Sequence, residues 1–252
     1  METNEKYNLK PGFGNAFGAG WQVMKDNFLR LFLVVIVLAI ISGPYKFINF
    51  DFNAGDLHGA PWNWNWHDSD NWEHMFGMAS LGIFAAFFAL IAGLYVLLVA
   101  PVFQYGGDMI FVQAARRMKP DFEYFIKGFM ENYLSIILAN LLVVALVVLG
   151  LFALLIPGII IGCRLVFVSY IVMDKKLDPI EAVELSWKMT RGHGWKIFSM
   201  AIVSFFILIF GLILFIVGIF PAIIWISSSF ASLYESVNRE MESPEKVEAV
   251  TA

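Results

Sequence analysis

The sequence predicts an all-α fold: a polytopic helical membrane protein of about six transmembrane helices in three hairpins, each preceded by an interfacial amphipathic helix. Three observations predict it. Of the 252 residues, 59% are hydrophobic and only 15% are charged. The apolar residues form uninterrupted blocks long enough for the roughly 20 helical residues that cross a bilayer. Short amphipathic segments precede these blocks, most clearly in Asp178–Phe198. These observations exclude a soluble globular chain. Basic residues are too few and scattered for nucleic-acid recognition. Gly-rich phosphate loops, HExxH and nucleophile elbows are absent. The single cysteine, Cys163, excludes an intrachain disulfide.

Taken in order, residues 1–12 form a polar N-terminal tail without the apolar core of a signal peptide. Phe13, Phe17, Trp21, Met24 and Phe28 then recur at helical spacing and lead into a first span at about Phe28–Phe47. Residues 49–75 form an outer loop with no Lys or Arg, and it carries Trp62, Trp64, Trp66 and Trp72. A second span follows at about Phe76–Ala100, opened by an Asp70/Glu73 capping box. Gly82, Ala86, Ala89 and Gly93 share one face of it, a stripe suited to close helix packing. Pro101 and Gly106-Gly107 are expected to kink or break this helix before the basic patch Arg116, Arg117 and Lys119. Within Asp121–Tyr133, the residues Phe122, Phe125, Ile126, Phe129 and Met130 repeat at helical spacing. That segment introduces a span at about Tyr133–Ile156, a turn at Pro157-Gly158 and a shorter span to Met173.

Asp178-Pro179 followed by Glu181 reads as a helix start, with Asp178 capping free N–H groups and proline in the first turn. Glu181, Glu184, Lys188 and Arg191 then form a charged stripe. Gly192-His193-Gly194 ends the helix. Trp21, Trp187, Arg191, Trp195 and Lys196 are read as interfacial anchors. Two last spans, Ile197–Val217 and Ile219–Tyr234, are expected to meet near Gly218 and Pro221. Residues 238–252 read as a charged, disordered tail.

The whole of 13–237 forms one membrane domain with units at about 13–117, 121–174 and 178–236. Aligned on Trp21 and Trp187, Lys25 meets Arg191 and Arg30 meets Lys196. A fainter match sets Asp26-Asn27-Phe28-Leu29 against Glu131-Asn132-Tyr133-Leu134, so an internal repeat is expected. Nearly every Lys and Arg falls on the face that holds the termini, with Lys46 at the opposite edge, which predicts cytoplasmic termini.

At Ile156-Pro157-Gly158, Ala182, Ser186, Thr190-Arg191-Gly192-His193, Gly218, Pro221 and Tyr234, the chain resembles a large set of uncharacterised bacterial multi-helix membrane proteins. That set includes the membrane domain fused to glycerophosphodiester phosphodiesterases. The resemblance covers most of residues 12–237 and implies a multi-pass protein of the bacterial inner (cytoplasmic) membrane. It carries no hydrolase activity across, because the soluble catalytic domain of those fusions has no counterpart here.

Arg164 is the sharpest candidate for chemistry. Counted from Pro157 at about 1.5 Å per residue, it lies roughly 10 Å into the bilayer. A charge there costs roughly 3 kcal/mol, and no acidic residue is obvious at that depth. Ser227, Ser228 and Ser229 are expected at similar depth and would complete an intramembrane polar site. Arg164 either holds an anion such as a lipid phosphate, or snorkels outward or ties to the outer loop as a structural residue. His58, His67 and His74 with Asp68, Asp70 and Glu73 match no paired zinc spacing and read as solvated loop groups. No metal, cofactor or catalytic residue is expected. The functional expectation is a non-enzymatic integral membrane protein acting through membrane lipids, another membrane protein or a second copy of itself. The alternative is a small transporter or channel with a polar site around Arg164.

Overall fold

The computed structural model describes residues 11–47, 86–213 and 215–242. Among these residues the structure is helical throughout, without strands. Four helices are long and apolar enough to cross a membrane: Ala86–Ala115, Tyr133–Ala153, Ile156–Lys175 and Gly194–Ile213. The chain divides into two compact units, one of residues 1–39 with 101–252, the other of residues 40–100.

In the smaller unit, residues 86–98 are helical and expose Phe87, Phe88 and Leu90. The Tyr95 hydroxyl donates to the Ile41 carbonyl at 2.8 Å. Among the described residues, a Cβ at Gly93 would meet open space and Ala86 and Ala89 are exposed, so this part of the small-residue stripe packs on none of them. Gly82, the proposed Asp70/Glu73 cap and the Trp-rich loop lie outside the described residues.

In the larger unit, each amphipathic helix ends in a break and a long apolar helix follows. Phe13–Phe47 is helical with one non-helical residue, Asn27, at φ −123° and ψ 20°. Glu123–Met130 and Tyr133–Ala153 are separated at Asn132, where φ is −128° and ψ is 15°. The aligned asparagines thus take almost the same backbone conformation. Pro179–Met189 gives way to Gly194–Ile213 through Gly192, whose φ of +85° is a conformation that glycine adopts without steric cost. Burial follows one register across these segments. Val23, Gly128 and Met189 are buried, as are Leu31, Ile136 and Ile197, and likewise Val34, Ala139 and Met200. One step in residue number carries the first member of each set to the second, and another carries the second to the third.

The hairpin turns fall earlier than expected. Tyr133–Ala153 and Leu155–Arg164 meet at Leu154, not at Pro157-Gly158, and Pro157 sits in the first turn of the return helix. Proline is tolerated there because its missing N–H would have no intrahelical partner. Gly158 serves packing instead. A Cβ on Gly150 would lie 3.0 Å from Gly158 Cα, so the two helices touch backbone to backbone. Likewise Gly194–Ile213 and Phe215–Glu242 flank residue 214, while Gly218 and Pro221 lie inside the second helix. Gly211 packs there against Ala222 and Gly218.

Gly106-Gly107 do not break a helix either. They lie within Ala100–Ala115, where Gly106 admits the backbone of Tyr124 and Phe125 from the second amphipathic helix. That helix buries Phe125 and Gly128, but Ile126 and Met130 are exposed among the described residues. Its apolar stripe is therefore only half covered by the fold. The end of the chain also departs from expectation, since the last helix runs to Glu242 and residues 238–242 are ordered by ion pairs.

Candidate functional site

A buried ion network joins residues at the ends of two helices to one inside a third. Arg116 follows Ala100–Ala115, Asp174 lies in the last turn of Val168–Lys175, and Glu235 lies in Phe215–Glu242. The Arg116 guanidinium grips Asp174 with two parallel bonds, Nη1 to Oδ1 at 2.5 Å and Nη2 to Oδ2 at 2.7 Å. Its Nε donates to Glu235 Oε2 at 2.6 Å. Tyr234 donates its hydroxyl to Asp174 Oδ2 at 2.8 Å, and Arg239 Nε donates to Glu235 Oε1 at 2.6 Å. The side chains of Asp174 and Glu235 are only 10% and 6% exposed, so these are charges taken largely out of water. Burial alone would lower the Arg116 pKa, but the hydrogen bonds and charges of Asp174 and Glu235 outweigh it and move it up. Tyr234 stacks on Tyr170 at 5.2 Å and meets Phe167 edge-on, closing the apolar side of the network.

Sequence reasoning missed this cluster. Arg116 was counted in a basic patch, and Glu235 lay at the edge of a presumed tail. One signal was present: the step from Asn132 to His193 also carries Gly150 to Gly211 and Asp174 to Glu235. The same step in residue number therefore relates the two carboxylates. A second omission is Asp108, which lies inside Ala100–Ala115 with the Ser169 side chain nearby. The sequence reading left Asp108 outside the second span by ending that span at Ala100, whereas the helix continues to Ala115.

Arg164 is the last residue of Leu155–Arg164, where the second hairpin breaks at residues 165–167 before Val168–Lys175 begins. At the break Val168 N–H turns to Leu165, which leaves the Arg164 carbonyl without a helical donor. Ser186 Oγ fills it at 2.8 Å and Thr190 Oγ1 approaches at 3.3 Å, both from fully buried side chains. This explains why Ser186 and Thr190 face inward on an otherwise charged helix. The Asp178 side chain makes no cap bond; only its carbonyl enters the helix, accepting from Ala182 N–H at 2.8 Å. We expect Ser186→Ala with Thr190→Val to strand a buried carbonyl and cost about 1–3 kcal/mol. Thermal unfolding in detergent would read this as a lower Tm, whereas Ser199→Ala, which bonds only within its own helix, serves as control.

The Arg164 guanidinium lies 5.6 Å from the Trp187 ring, and its Nη1 is buried without a hydrogen-bond partner among the described residues. The serine run is elsewhere. Ser229 bonds to Trp225 of its own helix and packs on Gly20, Ser228 is buried with no partner for its hydroxyl, and Ser227 is half-buried. No hydrogen bond joins Arg164 to the three serines. Trp21 and Trp187 are 43% and 37% exposed, Trp195 is 80% exposed, and Arg191 is exposed. Lys196 is half-buried and donates to the Pro11 carbonyl at 3.1 Å. His193, between its glycines, pairs with Glu240 at 3.5 Å. Three of the four histidines lie outside the described residues. Among the described residues, no group of three or more His, Cys, Asp or Glu side chains is placed to hold a metal ion.

Among the described residues, fold and site together define an all-helical protein with four helices long and apolar enough to cross a membrane and a buried ionic junction. No family model, curated protein or solved structure matches the chain.

Proposed function

We propose that this chain is a non-enzymatic integral membrane protein, made of three related units, that acts through contacts with lipid or with a membrane-embedded partner. The observation that carries this reading is how the polar groups are spent. Arg116, Asp174, Tyr234, Glu235 and Arg239 bond to one another at the junction of the units, while apolar side chains such as Phe152, Phe205, Phe206 and Phe210 point outward. An interior tied off in this way suits a scaffold. An exterior of that kind suits a lipid solvent.

Six spans in three hairpins would place both termini on the same face of a bacterial inner membrane. The lopsided Lys and Arg distribution supports the cytoplasmic side. The shared burial register and the matched Asn27 and Asn132 junctions support descent from one helix-plus-hairpin unit. In a Cys163→Ser background, a cysteine at Leu154 should react with an impermeant thiol reagent from outside spheroplasts. One at Lys119 should react only after permeabilisation, and the opposite pattern would overturn the orientation.

Gentle purification followed by mass spectrometry of co-purifying material tests the function. Retained lipid or a reproducible membrane partner supports the reading. Solute flux in proteoliposomes that is abolished by Arg164→Leu would replace it with the transporter alternative, whose support is the unpartnered Arg164 Nη1.

A further inference from the structure

We propose that Trp21 and Trp187 mark two equivalent headgroup sites for an anionic phospholipid, and that the middle unit lacks a third. The inference rests on the membrane reading above and names the lipid chemistry that reading leaves open.

The two tryptophans occupy the same register position. The step from Trp21 to Trp187 also carries Lys25 to Arg191, Leu31 to Ile197 and Val34 to Met200, and the last two pairs are buried. Each ring is partly exposed and has a cation beside it. Lys25 Nζ lies 5.7 Å from the Trp21 centroid and the Arg164 guanidinium 5.6 Å from that of Trp187. Among the described residues neither cation has a carboxylate partner, and the Arg164 side chain donates to no protein acceptor. Arg116, Lys127, Lys175, Lys176 and Arg239, by contrast, are all paired with acids. An exposed indole beside an unneutralised cation offers an amphipathic ring and a positive charge for a phosphodiester.

The middle unit supplies the internal contrast. The same register places Ile126 where the others have tryptophan, and Met130 where the first has its cation, Lys25. Both are exposed and apolar. They can meet acyl chains but cannot neutralise a phosphate, so the number of sites is two.

Native mass spectrometry of the full chain, released from micelles doped with phosphatidylglycerol or with phosphatidylcholine, tests this. Two phosphatidylglycerol molecules should survive under conditions that strip phosphatidylcholine. Lys25→Gln and Arg164→Gln should each remove one, and their combination both. Ile126→Trp with Met130→Lys should add one. Millimolar inorganic phosphate should displace neither lipid; displacement would overturn a lipid in favour of a free anion. Equal retention of both lipids, or an unchanged count in both glutamine variants, would overturn the proposal. If Arg164→Gln lowers folded yield, Lys25→Gln decides alone. Failure of the wild-type chain to float with liposomes would overturn the membrane reading itself, a result distinct from floating without a preference for phosphatidylglycerol.

Discussion

Arg116→Met should lower stability by about 3–5 kcal/mol, the usual cost of leaving buried charge uncompensated. The residue bonds two carboxylates that are almost wholly withdrawn from solvent, one of them bidentate. Asp174 keeps only the Tyr234 hydroxyl in the variant, and Glu235 keeps only Arg239, whose side chain is largely exposed. The cost arises from the stranded carboxylates and not from the lost methylene packing. Arg116→Met combined with Asp174→Asn and Glu235→Gln should therefore recover much of the loss. Reversible unfolding in detergent measures both. If the single and triple variants melted together, well below wild type, the network would owe its contribution to packing and not to charge. The Lys176–Glu131 bridge, formed between exposed side chains, should show no comparable sensitivity when Glu131 is made Gln.

The second large effect is expected at Gly20. A Cβ there would lie 2.7 Å from both the Cα and the backbone N of Ser229, so the obstacle is main chain and cannot swing aside. Gly20→Leu should cost about 1–3 kcal/mol or more through forced separation of the two helices. The separation should also break the bond from Trp225 Nε1 to the Phe17 carbonyl, 3.0 Å long, and open the edge-to-face contact of Trp21 with Trp225. Release of the N-terminal helix would appear as new proteolytic cleavage between residues 13 and 27. Gly18 is the matched control. Nothing lies within 4 Å of its would-be Cβ, so Gly18→Ala should be neutral or stabilise the helix slightly, by up to about 1 kcal/mol.

The helices were legible in the sequence because apolar blocks and helical periodicity are local properties. The junctions of amphipathic and apolar segments were legible at about Phe28, Tyr133 and Gly192, but only Gly192 reads as a break in the sequence; those at Asn27 and Asn132 came from the structure. The turns were misplaced for a physical reason. Pro157, Gly158, Gly218 and Pro221 look like chain reversals, yet a reversal through one residue needs close helix approach just beside it. Glycine supplies that approach at Gly150, Gly158 and Gly211. The junction was illegible because Arg116, Asp174 and Glu235 are far apart in sequence, and periodicity says nothing about which helix ends converge. Arg164 stands out in the sequence, but which side chains surround it is not a local property. Its neighbours are Ser186, Trp187 and Thr190, not Ser227, Ser228 and Ser229.

The order in which the junction's members appear along the chain has a consequence for biosynthesis. Arg116 emerges first, Asp174 next, and Glu235 with Arg239 last. At about 5–20 residues per second, the guanidinium waits on the order of ten seconds for its second acid. During that interval the nascent protein carries a half-neutralised charge at a helix end, a recognisable mark of incomplete synthesis. A chain truncated after Lys176 would carry it permanently. Such fragments should be cleared by membrane quality control far faster than the full-length protein, and Glu235→Gln should shorten the lifetime of the full-length chain towards theirs.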